Sequence, residues 1–128
     1  MSSALEISGV SKSFGDTKAV VQLDLDVPTG SLCGFLGPNG AGKSTTIRML
    51  MSIIHADEGT VQVLGTSALK AKDRIGYLPE ERGIYRKMKV GGFVGYIGRL
   101  KGVKGNVLRK RIDDWLERVE LPDIRNRR

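Results

Sequence analysis

The chain has one cysteine, Cys33, and four prolines among 128 residues. A lone cysteine closes no internal disulfide, so stability must come from burial rather than cross-links, as in chains kept in a reducing compartment. Aromatic residues make up 5%, too few for a row of rings stacking on single-stranded nucleic acid. Nucleic acid is not the expected partner. No apolar run reaches the roughly 18–20 residues of a membrane span. Met1-Ser2-Ser3-Ala4-Leu5-Glu6 has neither the basic nor the apolar region of a secretory signal.

What is present is globular in character: 40% apolar residues, 27% charged residues and a mean hydropathy of -0.17. The length suits one domain and a real core. The net charge of +7 is uneven. Residues 1–64 carry four basic and six acidic side chains, residues 65–128 seventeen and eight. A basic half can face nucleic acid or an acidic surface, and a solvated basic face is the expected reading.

Ala4–Val10 alternates apolar and polar residues, as does Val20–Val27, with Val21, Leu23, Leu25 and Val27 on one face. These are two half-buried strands joined by a turn at Phe14-Gly15-Asp16-Thr17, an antiparallel pair with one wet face. Ser31–Leu36 is nearly continuous apolar sequence, expected as a strand buried on both faces with Cys33 inside. Lys43–Ile54 has helical spacing in Ile47, Leu50, Met51 and Ile54. Thr60–Leu64 and Ile75–Leu78 read as further strands. From about residue 90 the pattern is helical, with Phe93, Tyr96, Ile97 and Leu100 on one face, then Leu108, Ile112, Trp115, Leu116 and Val119. Six glycines between 91 and 105 weaken the first of these helices. Trp115 and Tyr77 are expected to pack, and Met49 and Met51 to fill gaps between helix and sheet. No metal role is expected of His55, and Asp113 and Asp114 diverge on their helix.

Gly37-Pro38-Asn39-Gly40-Ala41-Gly42-Lys43-Ser44-Thr45 fits G-x-x-x-x-G-K-[ST], the phosphate-binding loop. Glycines let the backbone wrap a phosphate with its N–H groups inward. The helix opening at Lys43 aims its positive end at the anion. Lys43 reaches the phosphates as a point charge, and Ser44 offers a hydroxyl to Mg2+. Chance matches in a chain this long are on the order of one in a few hundred. The buried strand before the motif and the helix after it supply the context the mechanism requires.

These nine residues resemble the Walker A motif of ATP-binding cassette (ABC) ATPases. Val10-Ser11-Lys12-Ser13-Phe14-Gly15 resembles their A-loop, with Phe14 in the place of the aromatic that stacks on adenine. Gly30–Leu36 resembles the strand entering Walker A, and Asp57-Glu58-Gly59-Thr60-Val61 the turn and strand after the first helix. Ile75-Gly76-Tyr77-Leu78-Pro79-Glu80 resembles the approach to the Q-loop, with Glu80 where the family has glutamine. Leu78-Pro79-Glu80-Glu81-Arg82-Gly83-Ile84-Tyr85 resembles a prokaryotic exporter subgroup that includes sodium-efflux-type transporters.

The resemblance implies an α/β fold: a P-loop core of parallel strands with the Walker A helix, N-terminal antiparallel strands, and the start of a helical subdomain. Residues 1–89 would form the core and residues 90–128 the helical part. It implies ATP and Mg2+ as ligands. Phe14, Asn39, Gly40, Ala41, Gly42, Lys43, Ser44, Thr45 and Thr46 would bind ATP, Ser44 and Glu80 would hold Mg2+, and Lys43 and Glu80 would act in catalysis. Its partners would be a transmembrane permease and a second ATP-binding subunit arranged head to tail, at the inner face of the cell membrane. Arg82, Arg86, Lys87 and Lys89 lie near the family's contact with the permease. The LSGGQ signature, the Walker B strand and the switch histidine of the family are not in the sequence, so a truncated unit with little or no hydrolysis of its own is expected. A soluble ABC ATPase acting on ribosome or DNA, and a non-catalytic ATP-binding module, remain as alternatives.

Overall fold

The computed structural model describes residues 2–80, 83 and 85–128. The described chain divides into two compact units, Met1–Tyr77 and Leu78–Arg128. The L-P-E-E-R-G run lies partly outside the described residues, as does Arg82 of the basic cluster.

The first unit is built on a hairpin of β1 (Ser3–Phe14) and β2 (Thr17–Pro28), followed by α1 (Lys43–Leu50), β3 (Glu58–Val63) and the short β4 (Thr66–Ser67). The sheet order is β2-β1-β3-β4, with every pairing antiparallel. A short α2 (Ala68–Ala71) follows, its first turn capped by Ser67 Oγ, which accepts from the Lys70 N–H. The hairpin forms where alternation predicts, because every second side chain can leave water. Ile7, Val10 and Val20 are buried with Met49 of α1, surrounded by Leu5, Ala19, Leu23, Leu25, Leu50, Ile54 and Val61. Burying each such side chain stabilises the unit by about 1.5–3 kcal/mol.

The face assignment shifts at one point. Val21 is 63% exposed and Val20 takes the inward place. The ladder is irregular here: Gly9 and Gln22 both adopt positive φ, and the register slips on either side of Val10. Each irregularity carries a substitute bond. The Gly9 N–H donates to Asp24 Oδ1 at 2.7 Å, and the Gln22 N–H donates to Ser11 Oγ at 2.9 Å. A bulge reverses the side-chain phase, so strict alternation past it fails.

Two expected strands are not formed. Residues 31–36 run as an irregular segment, with Leu32 and Leu36 exposed and Cys33 not buried. Alternation survives in part: Cys33 and Phe35 border a cavity of about 200 Å3 with Leu5, Leu25, Val27, Ile47 and Leu50. An extended segment becomes a strand only by exchanging ladder bonds, and among the described residues no strand lies beside this one. Residues 75–78 are likewise irregular and Tyr77 is exposed rather than packed. The α/β character and the antiparallel strands are as expected, while the parallel strands are not present among the described residues. Helix α1 ends at Leu50, earlier than Ile54.

In the second unit α3 (Val90–Leu100) packs on α4 (Gly105–Arg118). Of the expected face, Phe93 and Ile97 border a cavity of about 350 Å3 with Leu108, Ile112 and Trp115 of α4, while Tyr96 and Leu100 are exposed. Gly95 is the buried residue of α3, and a Cβ on Gly98 would come within 2.3 Å of Leu108 Cδ1. The glycines that weaken α3 in isolation let α4 approach closely. On α4, Leu108, Ile112 and Leu116 are buried. Trp115 is 57% exposed, at the flank of that stripe, where the Arg118 guanidinium lies 4.6 Å from its ring centroid. Asp113 pairs with Arg125.

One close approach in the first unit is backbone on backbone. Gly59 has φ 81, and a Cβ there would lie 2.4 Å from the Gly9 carbonyl oxygen. Gly59→Ala should lower stability in urea denaturation by roughly 2 kcal/mol or more. Gly15→Ala, at φ 58 with open space around it, should cost only the left-handed strain, about 1 kcal/mol.

Candidate phosphate-binding site

The loop of residues 37–42 turns back on itself. The Ala41 N–H donates to the Pro38 carbonyl at 3.1 Å, and Gly40 and Gly42 take φ 85 and 91. These angles are open to glycine and strained for other residues. Gly42 meets a second demand, since a Cβ there would lie 2.5 Å from the Ala19 carbonyl oxygen of β2. The end of the loop therefore rests directly on the hairpin backbone.

Helix α1 begins at that contact. Gly42 is its N-cap, no side chain caps it, and its first turn holds no acidic residue. The first-turn N–H groups and the positive end of the helix are thus available to an anion. Ahead of them opens a cleft of about 420 Å3, walled by Asn39, Gly40, Gly42, Lys43, Ser44 and Thr45 and, across from them, by Thr17, Lys18 and Ala19 of β2. The Lys43 ammonium donates to the Gly37 carbonyl. A phosphate entering the cleft offers it a stronger, charged acceptor.

Other predicted residues are placed differently. Ala41 is exposed and does not line the cleft. Thr46 is 2% exposed, and its hydroxyl and its N–H both bond the Gly42 carbonyl, at 2.8 and 2.9 Å. That side chain locks the first turn from inside. Phe14 is 50% exposed at the last position of β1, paired with Thr17 of the cleft wall. Glu80 is exposed and belongs to the second unit.

The motif reading did not single out Lys18 or Asp57. Lys18 adds a second cation to the cleft wall. Asp57, just before β3, accepts from the Ser13 N–H at 2.8 Å and from Lys12 Nζ at 3.0 Å, while its own N–H donates to the Ser11 carbonyl at 2.9 Å. An aspartate two residues ahead of a glycine is a common backbone-capping signal, but partners more than forty positions upstream leave no local pattern. The Ser13 N–H and then Lys12 hold the Asp57 carboxyl below its ordinary value of 3.8. A lowered folded-state value means that its stabilisation is complete above that ordinary value and fades as pH falls through the folded one. The gap in melting temperature between wild type and Asp57→Asn should be present at pH 7 and should close as pH drops below about 3.8.

The ABC transporter family model matches residues 20–128. The chain is 45% identical over 125 residues to the uncharacterized ABC transporter ATP-binding protein YhaQ of Bacillus subtilis, covering 97% of this chain and 42% of that protein. It is 39% identical over 129 residues to the daunorubicin/doxorubicin resistance ATP-binding protein DrrA of Streptomyces peucetius, covering 97% of this chain and 39% of that protein. Among solved structures, a putative ABC transporter ATP-binding protein from Pyrococcus furiosus superposes with a TM-score of 0.76 at 31% identity, over 95% of this chain and 60% of that one. The chain thus spans less than half the length of these two curated relatives.

Proposed function

We propose, starting from the fact that the chain belongs to the ABC transporter family, that it grips ATP for a transporter's ATP-binding subunit that powers export across a membrane. The observation that carries this reading is the cleft itself. Loop backbone, the uncapped helix start and two lysines converge on one opening of phosphate-binding character. In this assignment Lys43 leaves the Gly37 carbonyl for the β- and γ-phosphates. Asn39, Gly40, Gly42, Ser44 and Thr45 line the cradle, Ala41 closes the loop's turn, Thr46 holds the helix start from the core side, and Phe14 stacks on the base. Residues 1–89 act as the ATP-binding core and residues 90–128 as part of the helical subdomain.

Mg2+ fits the hydroxyl that Ser44, a residue of the cleft wall, can offer. A hard cation that keeps water and phosphate oxygens as most of its ligands needs few protein oxygens. When bound, it would neutralise charge on the phosphates.

A permease and a second ATP-binding subunit are the partners this reading requires, which would place the protein peripherally at the inner membrane face. No helix among the described residues is long and apolar enough to cross a membrane. The drug resistance named for the Streptomyces relative suits a subunit that drives solutes out of the cell.

Hydrolysis needs a base and charge stabilisers around the attacking water, and this chain's motifs supply the grip without them. Calorimetric titration should show MgATP binding that Lys43→Ala weakens at least tenfold, beside phosphate release close to background. Failure of the wild-type chain to bind MgATP would overturn the reading. Substantial turnover abolished by Lys43→Ala would overturn its non-hydrolytic part.

A further inference from the structure

The β1–β3 ladder ends at the pair Ser11 and Glu58. The last three residues of β1, Lys12, Ser13 and Phe14, run on with β2 alone on one side. Two-stranded extensions of this kind twist and fray. This one carries the aromatic ring assigned to the base, and Ser13 and Phe14 pair with Lys18 and Thr17 of β2, both on the cleft wall. The ring's position therefore depends on what steadies this extension.

Asp57 does so in the place where a third strand would have been. One carboxylate oxygen takes the Ser13 N–H at 2.8 Å, next to Phe14, and the other takes Lys12 Nζ at 3.0 Å. The same Lys12 ammonium lies 5.4 Å from the centroid of the Phe14 ring. A cation at this distance interacts with the ring face, so one face is occupied by the chain itself while the ring stays half exposed. The arrangement is a relay: Asp57 fixes Lys12 and the backbone beside Phe14, and Lys12 covers one face of the ring.

We propose that Asp57 is a positioning residue for base recognition, acting through Lys12 and Ser13 to hold Phe14 with one face closed and the other presented to the adenine of ATP. This rests on the ATP-binding reading above and adds to it the part of the ligand that Asp57 serves. It touches no phosphate, and it lies outside the glycine loop. Its loss should therefore weaken recognition of the base and leave recognition of the phosphate chain intact.

The test compares two ligands, MgATP and magnesium tripolyphosphate, which shares the phosphate chain but has no base. Stacking of a base on an aromatic ring is worth about tenfold or more in affinity. Asp57→Ala should lose about tenfold for MgATP and stay within twofold of wild type for tripolyphosphate. Phe14→Ala should reproduce that split, and Lys43→Ala should weaken both ligands. Lys12→Met breaks the relay from the other side and should give the same split, which keeps the inference testable if Asp57→Ala fails to fold. Equal losses for both ligands in Asp57→Ala and Lys12→Met would assign Asp57 a purely structural role and overturn the proposal. Unchanged MgATP affinity in the two variants would also overturn it. Absence of MgATP binding by wild type, in contrast, would overturn the ATP-binding reading itself.

Discussion

The first unit depends on one close contact, the end of the glycine loop lying on the Ala19 carbonyl of β2. Only a residue without a Cβ fits there, because a side chain at Gly42 would come within 2.5 Å of that oxygen. The contact fixes where α1 begins, and Thr46 reinforces it by bonding the Gly42 carbonyl from the core side. From that start the helix sends Met49 into the cluster of Ile7, Val10 and Val20. The same contact sets the loop against Thr17 and Lys18, so the packing that stabilises the unit also shapes its cleft. Binding geometry and core packing share a single backbone junction.

Glycine serves this protein through close approach in several places. Gly59 meets the Gly9 backbone where β3 joins β1, and Gly95 and Gly98 admit the α4 side chains against α3. At Gly59 and Gly98 the chain gives up intrinsic backbone preference in return for contact that a Cβ would block. In α3 this reverses the outlook from helix propensity alone. Gly98, one of the residues that make the helix poor on its own, lies on its packing face beside Phe93, and Tyr96 and Leu100 are left exposed.

Much of this was legible in the sequence, for identifiable reasons. The hairpin followed from two-residue alternation, and the phosphate loop from a motif whose residue types are each demanded by anion binding. The misreadings have physical causes. Val21 was assigned inward because alternation carries no mark of the bulge at Gln22. Residues 31–36 were read as a buried strand from their apolar run, but a run reports what a segment can bury, and strand formation depends on neighbours with free ladder positions. Trp115 was placed in the core by helical spacing, yet it sits at the edge of a narrow stripe, where Arg118 supplies its partner. The role of Asp57 is not legible in its motif, because it lies in three bonds to a strand distant in sequence.

The central claim is that the loop and the start of α1 form a preorganised anion cradle seated on β2. Amide hydrogen exchange with and without MgATP tests it most directly. The account predicts that nucleotide slows exchange at Asn39–Thr45, with little change along β3 or within the α3–α4 pair. Unchanged exchange at Asn39–Thr45 under saturating nucleotide, or slowing confined to the second unit, would contradict it.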